Sequence, residues 1–135
     1  MAAGGGRRQF TVDEARALLP RVRELAATLR ERKSEYDRHL KAYDLLIADR
    51  SVEGDVREEP IARHRTALGV RVAAMQATIG ELAGLGVEVK GLDQGLLDFP
   101  SERDGRAVYL CWKLDEPDIT HWHDLTSGFA GRQPL

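Results

Sequence analysis

Two apolar stripes at helical spacing, each with its own start and stop signals, restrict this chain to folds built around a long antiparallel helix pair. The first stripe runs through Ala15, Leu18, Val22, Leu25 and Leu29, then Tyr36, Leu40, Tyr43 and Ile47, with charged residues between. Thr11-Val-Asp-Glu14 has capping-box spacing, in which a threonine oxygen and a glutamate side chain satisfy the first free backbone amides, so a helix is expected from Val12. Pro20 lacks an amide donor and its ring clashes with the carbonyl four residues back, which predicts a kink or break there.

The segment from Ser51 to Glu59 has a glycine, alternating charge and no apolar period, and reads as the hairpin loop. Pro60 then falls where first-turn prolines are favoured. Ile61, Leu68, Val72, Met75, Ile79 and Leu82 define the second helix, which ends near Gly84 and Gly86. At the helical rise, residues 21–50 would span roughly 45 Å and 60–84 roughly 37 Å. The lengths match if the turns before Pro20 pack elsewhere, against the C-terminal segment. Gly69 and Gly80 each weaken the second helix by about 1 kcal/mol relative to alanine, which predicts another backbone packed closely there, such as that of a second subunit.

After Gly86 a period of two replaces the period of 3.6. Val87 and Val89 alternate with charged neighbours, and Ala107-Val-Tyr-Leu-Cys-Trp112 is rich in strand-favouring residues. Gly95 to Phe99 reads as another short strand, with Pro100 to Gly105 as the turn that follows. The expected class is α+β: a long antiparallel helical hairpin, then a small antiparallel β-meander and an irregular C-terminal tail. A flexible leader over residues 1–9 precedes a single domain over 10–135, divided into the hairpin at 10–85 and the strand-rich segment at 86–135.

Charge narrows the function classes. Twenty basic residues stand against twenty-two acidic ones, for a net charge of −2. No unbalanced basic face is available for phosphate-driven binding, so no nucleic acid is expected as a partner. Cys111 is the only cysteine, which excludes an internal disulfide, a Cys-pair redox motif and a Cys-rich zinc knuckle. Neither a signal peptide nor a run of about 18 apolar residues is present, so the expectation is a cytoplasmic protein without a membrane partner.

The motifs Gly86-Val-Glu-Val-Lys90, Asp93, Gly95-Leu-Leu-Asp-Phe-Pro100, Gly105, Leu110-Cys-Trp112, Glu116-Pro117, Trp122-His123, Gly128-Phe-Ala-Gly-Arg132 and Pro134 form an ordered series. Together with Phe10-Thr11, Glu14-Ala15 and Leu18-Leu-Pro20 they closely resemble a prokaryotic family of unknown function, numbered two-two-zero-three. The resemblance covers nearly the whole chain. It implies the fold and its boundaries, and leaves the chemistry open.

Chemistry concentrates in the last forty or so residues. In an extended tail His121 and His123 point to one side, the arrangement by which two imidazoles of one strand share a metal ion. Asp98 and Glu116 are candidate oxygen ligands that, with His123, would build a mixed site for iron, manganese or zinc. The competing reading is local: both carboxylates cap turns beside a proline, and His123 hydrogen-bonds in a small core. Gly128, Gly131 and Arg132 can present backbone amides and a guanidinium to a small anion, a carboxylate or phosphate. Alternatively the glycines make a tight turn and Arg132 pairs with Asp124 or a helix carboxylate.

Cys111 is a candidate nucleophile if His123 lowers its pKa, against the plainer reading of a small buried hydrophobe. Trp112 and Trp122 read as core or pocket walls. His39 and His64 can approach across the hairpin near Tyr43, although the solvent edge of the apolar stripe suits both better. The leading functional expectation is a small binding module with a C-terminal polar pocket for a metal ion or small anion. The alternatives are a metal-dependent enzyme using the same pocket, and a structural or interaction protein acting through the hairpin, with a homo-oligomer, most simply a dimer, as the expected assembly.

Overall fold

In a computed structural model that describes residues 8–49, 51 and 55–135, two long helices pack as a hairpin and lead into a five-stranded antiparallel sheet. Helix α1 spans Val12–Ala48 and α2 spans Asp55–Gly84; the strands are β1 (Glu88–Gly91), β2 (Leu96–Arg103), β3 (Arg106–Lys113), β4 (His121–His123) and β5 (Gln133–Pro134). The strands pair in chain order, a meander. Residues 1–7 of the expected leader and residues 52–54 of the expected loop lie outside the described residues. Among the described residues no helix is long and apolar enough to cross a membrane.

The capping box at Thr11 forms as its spacing predicts. The Thr11 hydroxyl accepts from the Glu14 amide at 3.1 Å while the Glu14 carboxylate accepts from the Thr11 amide at 2.8 Å. The break expected at Pro20 does not occur, because α1 continues through it. Arg16 and Pro20 are both exposed, so the carbonyl that loses its amide partner is left to water. The first turns also gain anchors in the C-terminal segment. Arg16 Nη2 donates to the Ile119 carbonyl at 2.8 Å, and Arg23 reaches the Glu116 and Pro117 carbonyls at 3.2 and 3.0 Å.

Two further expectations are corrected. Helix α2 begins at Asp55, so Pro60 lies inside the helix instead of opening it. Strand β2 continues through Pro100 to Arg103, and the turn is confined to Asp104 and Gly105. The Pro100 carbonyl accepts from the Phe10 amide at 2.7 Å, away from β3. In an antiparallel strand the nitrogen lies on the same side as the carbonyl, so the missing amide removes nothing from the β2–β3 ladder. At Gly69 and Gly80 an added side chain would meet nothing within 4 Å among the described residues, so the close neighbour expected there is not supplied by the described part of this chain. The tail carries more regular structure than its sequence suggests, contributing β4, a 3-10 turn at Phe129–Gly131 and β5.

The core sits where the near half of the hairpin meets one face of the sheet. Ala15, Leu19, Val22, Leu25, Ala26 and Leu29 of α1 and Met75 and Leu82 of α2 are buried against Leu97, Phe99, Leu110 and Trp112. Phe10 closes this core, its ring meeting Phe99 edge-on at 5.4 Å while the Ser101 hydroxyl donates to its carbonyl at 2.5 Å. Beyond Leu29 no described residue of α1 is buried; Tyr36, Leu40 and Tyr43 are half-buried and Ile47 is exposed. His39 meets Arg71 Nη2 at 3.2 Å, and neither His39 nor His64 belongs to a cluster of potential metal ligands among the described residues.

Candidate functional site

Strand alternation divides the sheet into unlike faces. Leu97 and Phe99 of β2 point to the helices, so Asp98 between them points away. The β2–β3 register sets Asp98 opposite Cys111, and the β3–β4 register sets Tyr109 opposite His123. Asp98, Tyr109, Cys111 and His123 therefore gather on the face turned from the hairpin. Asp98 is 2% exposed, Cys111 0% and His123 3%, as buried as the apolar core. One ligand-type atom from each of Asp98, Cys111 and His123 lies within 4.8 Å of the other two.

His123 is held at both ring nitrogens. Nδ1 lies 2.6 Å from the Asp124 carbonyl oxygen, which can only accept, so Nδ1 carries a hydrogen. Nε2 faces both carboxylate oxygens of Asp98 at 3.1 and 3.0 Å. Two lone-pair-bearing groups at that distance need a cation between them, either a proton or a metal ion. Burial holds the Asp98 carboxyl above the ordinary carboxylate range, partly offset by His123 and Lys90. Burial, reinforced by the Asp98 charge, pushes the Cys111 thiol up to about 12. The thiol is therefore protonated near neutrality and is no activated nucleophile in this state.

A cavity of about 260 Å³ opens beside the pair, with Asp98, His123, Tyr109, Lys90, Leu96 and Phe129 on its wall. The Tyr109 hydroxyl donates to Glu88 at 3.0 Å, and the Lys90 ammonium pairs with Glu88 at 3.1 Å while resting over the Tyr109 ring. From the sequence, Glu88 and Lys90 stand out only as part of the Gly86–Lys90 motif and Tyr109 only as a strand residue; the β1–β2 register then puts Glu88 opposite Asp98.

The remaining candidates do not join the ligand atoms of this trio, although the β3–β4 register sets His121 directly opposite Cys111 and Gly128 borders the same cavity. Glu116 accepts from Arg132 Nη2 and from the Lys113 amide, both at 2.8 Å, and these contacts hold its carboxyl below the usual range against its burial. Arg132 also donates to the Cys111 carbonyl at 3.2 Å and stacks on Phe129, so its guanidinium already has partners within the chain. His121 turns Nδ1 to the Thr120 hydroxyl at 2.8 Å. Gly128, at φ 62°, opens the short turn in which the Gly131 amide donates to the Gly128 carbonyl at 3.0 Å. A side chain at Gly131 would collide with Ser127. Asp124 accepts from the Thr126 and Ser127 amides at 2.9 and 2.6 Å, which draws its pKa down to about 2. Trp112 is core, its Nε1 donating to the Glu116 carbonyl at 3.0 Å, and Trp122 packs against the edge of that core.

A family model described as an uncharacterized conserved protein (DUF2203) matches residues 8–135, and the chain belongs to that family. No curated protein and no solved structure matches it.

Proposed function

Starting from membership of a family whose description assigns no activity, we propose that this chain is a small metal-binding module in which Asp98, Cys111 and His123 hold one divalent transition-metal ion. The observation that carries the reading is the convergence of three chemically different buried ligand atoms within 4.8 Å. The hydrogen bond from His123 Nδ1 to a backbone carbonyl supports it, because ligating imidazoles are commonly oriented by such a partner. A thiol beside an imidazole and a carboxylate favours zinc, then ferrous iron, over manganese. Loading would displace the thiol proton, so affinity should rise with pH.

Glu116 and Arg132 take a supporting part in this reading. Their ion pair ties the tail to the Cys111 backbone and so positions the ligand strand. The cavity beside Asp98 and His123 favours the enzyme reading as the second choice, since an ion with three protein ligands and an open position facing a cavity can activate water.

Titration of untagged, chelator-treated protein with cobalt(II) tests the proposal. One equivalent should give a thiolate-to-cobalt charge-transfer band together with the visible bands of tetrahedral coordination. Cys111→Ser should abolish the charge-transfer band, and His123→Ala should weaken binding by at least about tenfold. No such band in a protein that remains folded, or an unchanged band in Cys111→Ser, would sink the idea.

A further inference from the structure

A second polar concavity lies at the far end of the sheet's other face. The β2–β3 hairpin closes with Arg103 directly opposite Arg106, and this pair alternates with the same set of residues as Phe99 and Leu110. Like charges opposite each other across a strand pair repel. Among the described residues neither arginine forms an ion pair with a carboxylate.

Both arginines border a cavity of about 440 Å³ whose wall also includes Trp122, Asp104, Asp124 and Gln133. The Arg103 guanidinium lies 5.0 Å from the centre of the Trp122 ring, and the buried Trp122 Nε1 has no acceptor among the described residues. Two forked cations and the Trp122 ring thus meet at a cavity, and neither arginine has a carboxylate partner among the described residues. The acids on the rim do not fill that role. Asp124 is committed to the Thr126 and Ser127 amides, and Asp104 sits at φ 53° in the turn between the arginines without bonding either.

We infer that this cavity is a binding site for a small oxyanion, a phosphate or carboxylate group, held by Arg103 and Arg106 beside the Trp122 ring. Guanidinium forks match the paired oxygens of both groups, and the indole face keeps Arg103 extended towards the ligand. A bound oxyanion would also relieve the repulsion between the paired arginines. The site lies on the opposite face from Asp98, Cys111 and His123, so it stands or falls independently of the metal proposal.

Two-dimensional proton–nitrogen spectra of the full chain provide the test, because its two indoles report separately. Inorganic phosphate and acetate are titrated in turn at constant ionic strength, with sodium chloride as the matched control, in the presence of a chelator. The Trp122 indole signal should shift and saturate with at least one of the two, and whichever saturates at lower concentration assigns the class. The Trp112 indole, bonded to the Glu116 carbonyl, should stay in place. In Arg103→Gln/Arg106→Gln, which alters exposed positions only, the apparent affinity should fall at least about tenfold. Non-saturating drift equal to that in chloride, or an undiminished shift in the double variant, would overturn the inference.

Discussion

The two faces of the sheet come from alternating residues of the same strands and are buried to the same degree, yet they are held by opposite means. Toward the helices, Leu97, Phe99, Leu110 and Trp112 lose water to close-packed apolar neighbours. Away from them, Asp98, Cys111 and His123 lose water beside the tail and meet one another's polar atoms. Removing a charge pair from water costs stability unless geometry and further hydrogen bonds compensate it, so this second face is a poor way to close a core. Equal burial is thus reached by two different kinds of contact, and substitutions on the two faces should tell them apart.

The sharpest test of that contrast is Trp112→Ala, which opens a cavity on the apolar face and should cost about 4 kcal/mol in urea denaturation. On the polar face, His123→Ala should cost about 3 kcal/mol because it strands the Asp98 carboxylate in a dry site. Replacing the pair together, Asp98→Val with His123→Leu, should restore stability to within about 1 kcal/mol of the parent while metal binding stays absent. A double variant as unstable as Trp112→Ala would break the comparison, since both faces would then be structural.

The smallest effect concerns acid. The Asp124 carboxyl is held near 2 by the amides of Thr126 and Ser127, below its ordinary value of 3.8. A depressed carboxyl contributes stability that is present at neutral pH and lost as pH falls from 3.8 toward about 2. Thermal melts across that window should show a slope that Asp124→Ala reduces without abolishing, because Glu116 is also held below its usual range, with the polar face, which the Asp124 turn borders, loosening before the apolar one.

How much of this was legible in the chain depends on the range of the signal. The start of α1 was readable because Thr11 and Glu14 satisfy each other's amides within one turn. Pro20 does not break the helix, and a local rule cannot see that Arg16 and Arg23, on either side of it, are anchored to carbonyls about ninety to a hundred residues away. Pro100 misled for a related reason: only the docking of Phe10 shows that its nitrogen faces away from the ladder. Asp98 and His123 could each be singled out from their neighbourhoods. Their meeting across β3, with Cys111 between them as a third polar atom, depends on two strand registers that no local pattern encodes.

The meander has a kinetic consequence. Every strand pairs with its neighbour in sequence, so the sheet can grow by short loop closures, and the helix pair can close across its own connection. The bond that ties Phe10 to Ser101 spans 91 positions and that from Arg16 to Ile119 spans 103. During synthesis the first helix to leave the ribosome must therefore wait, its near end unfinished, for the last strands that will cover it.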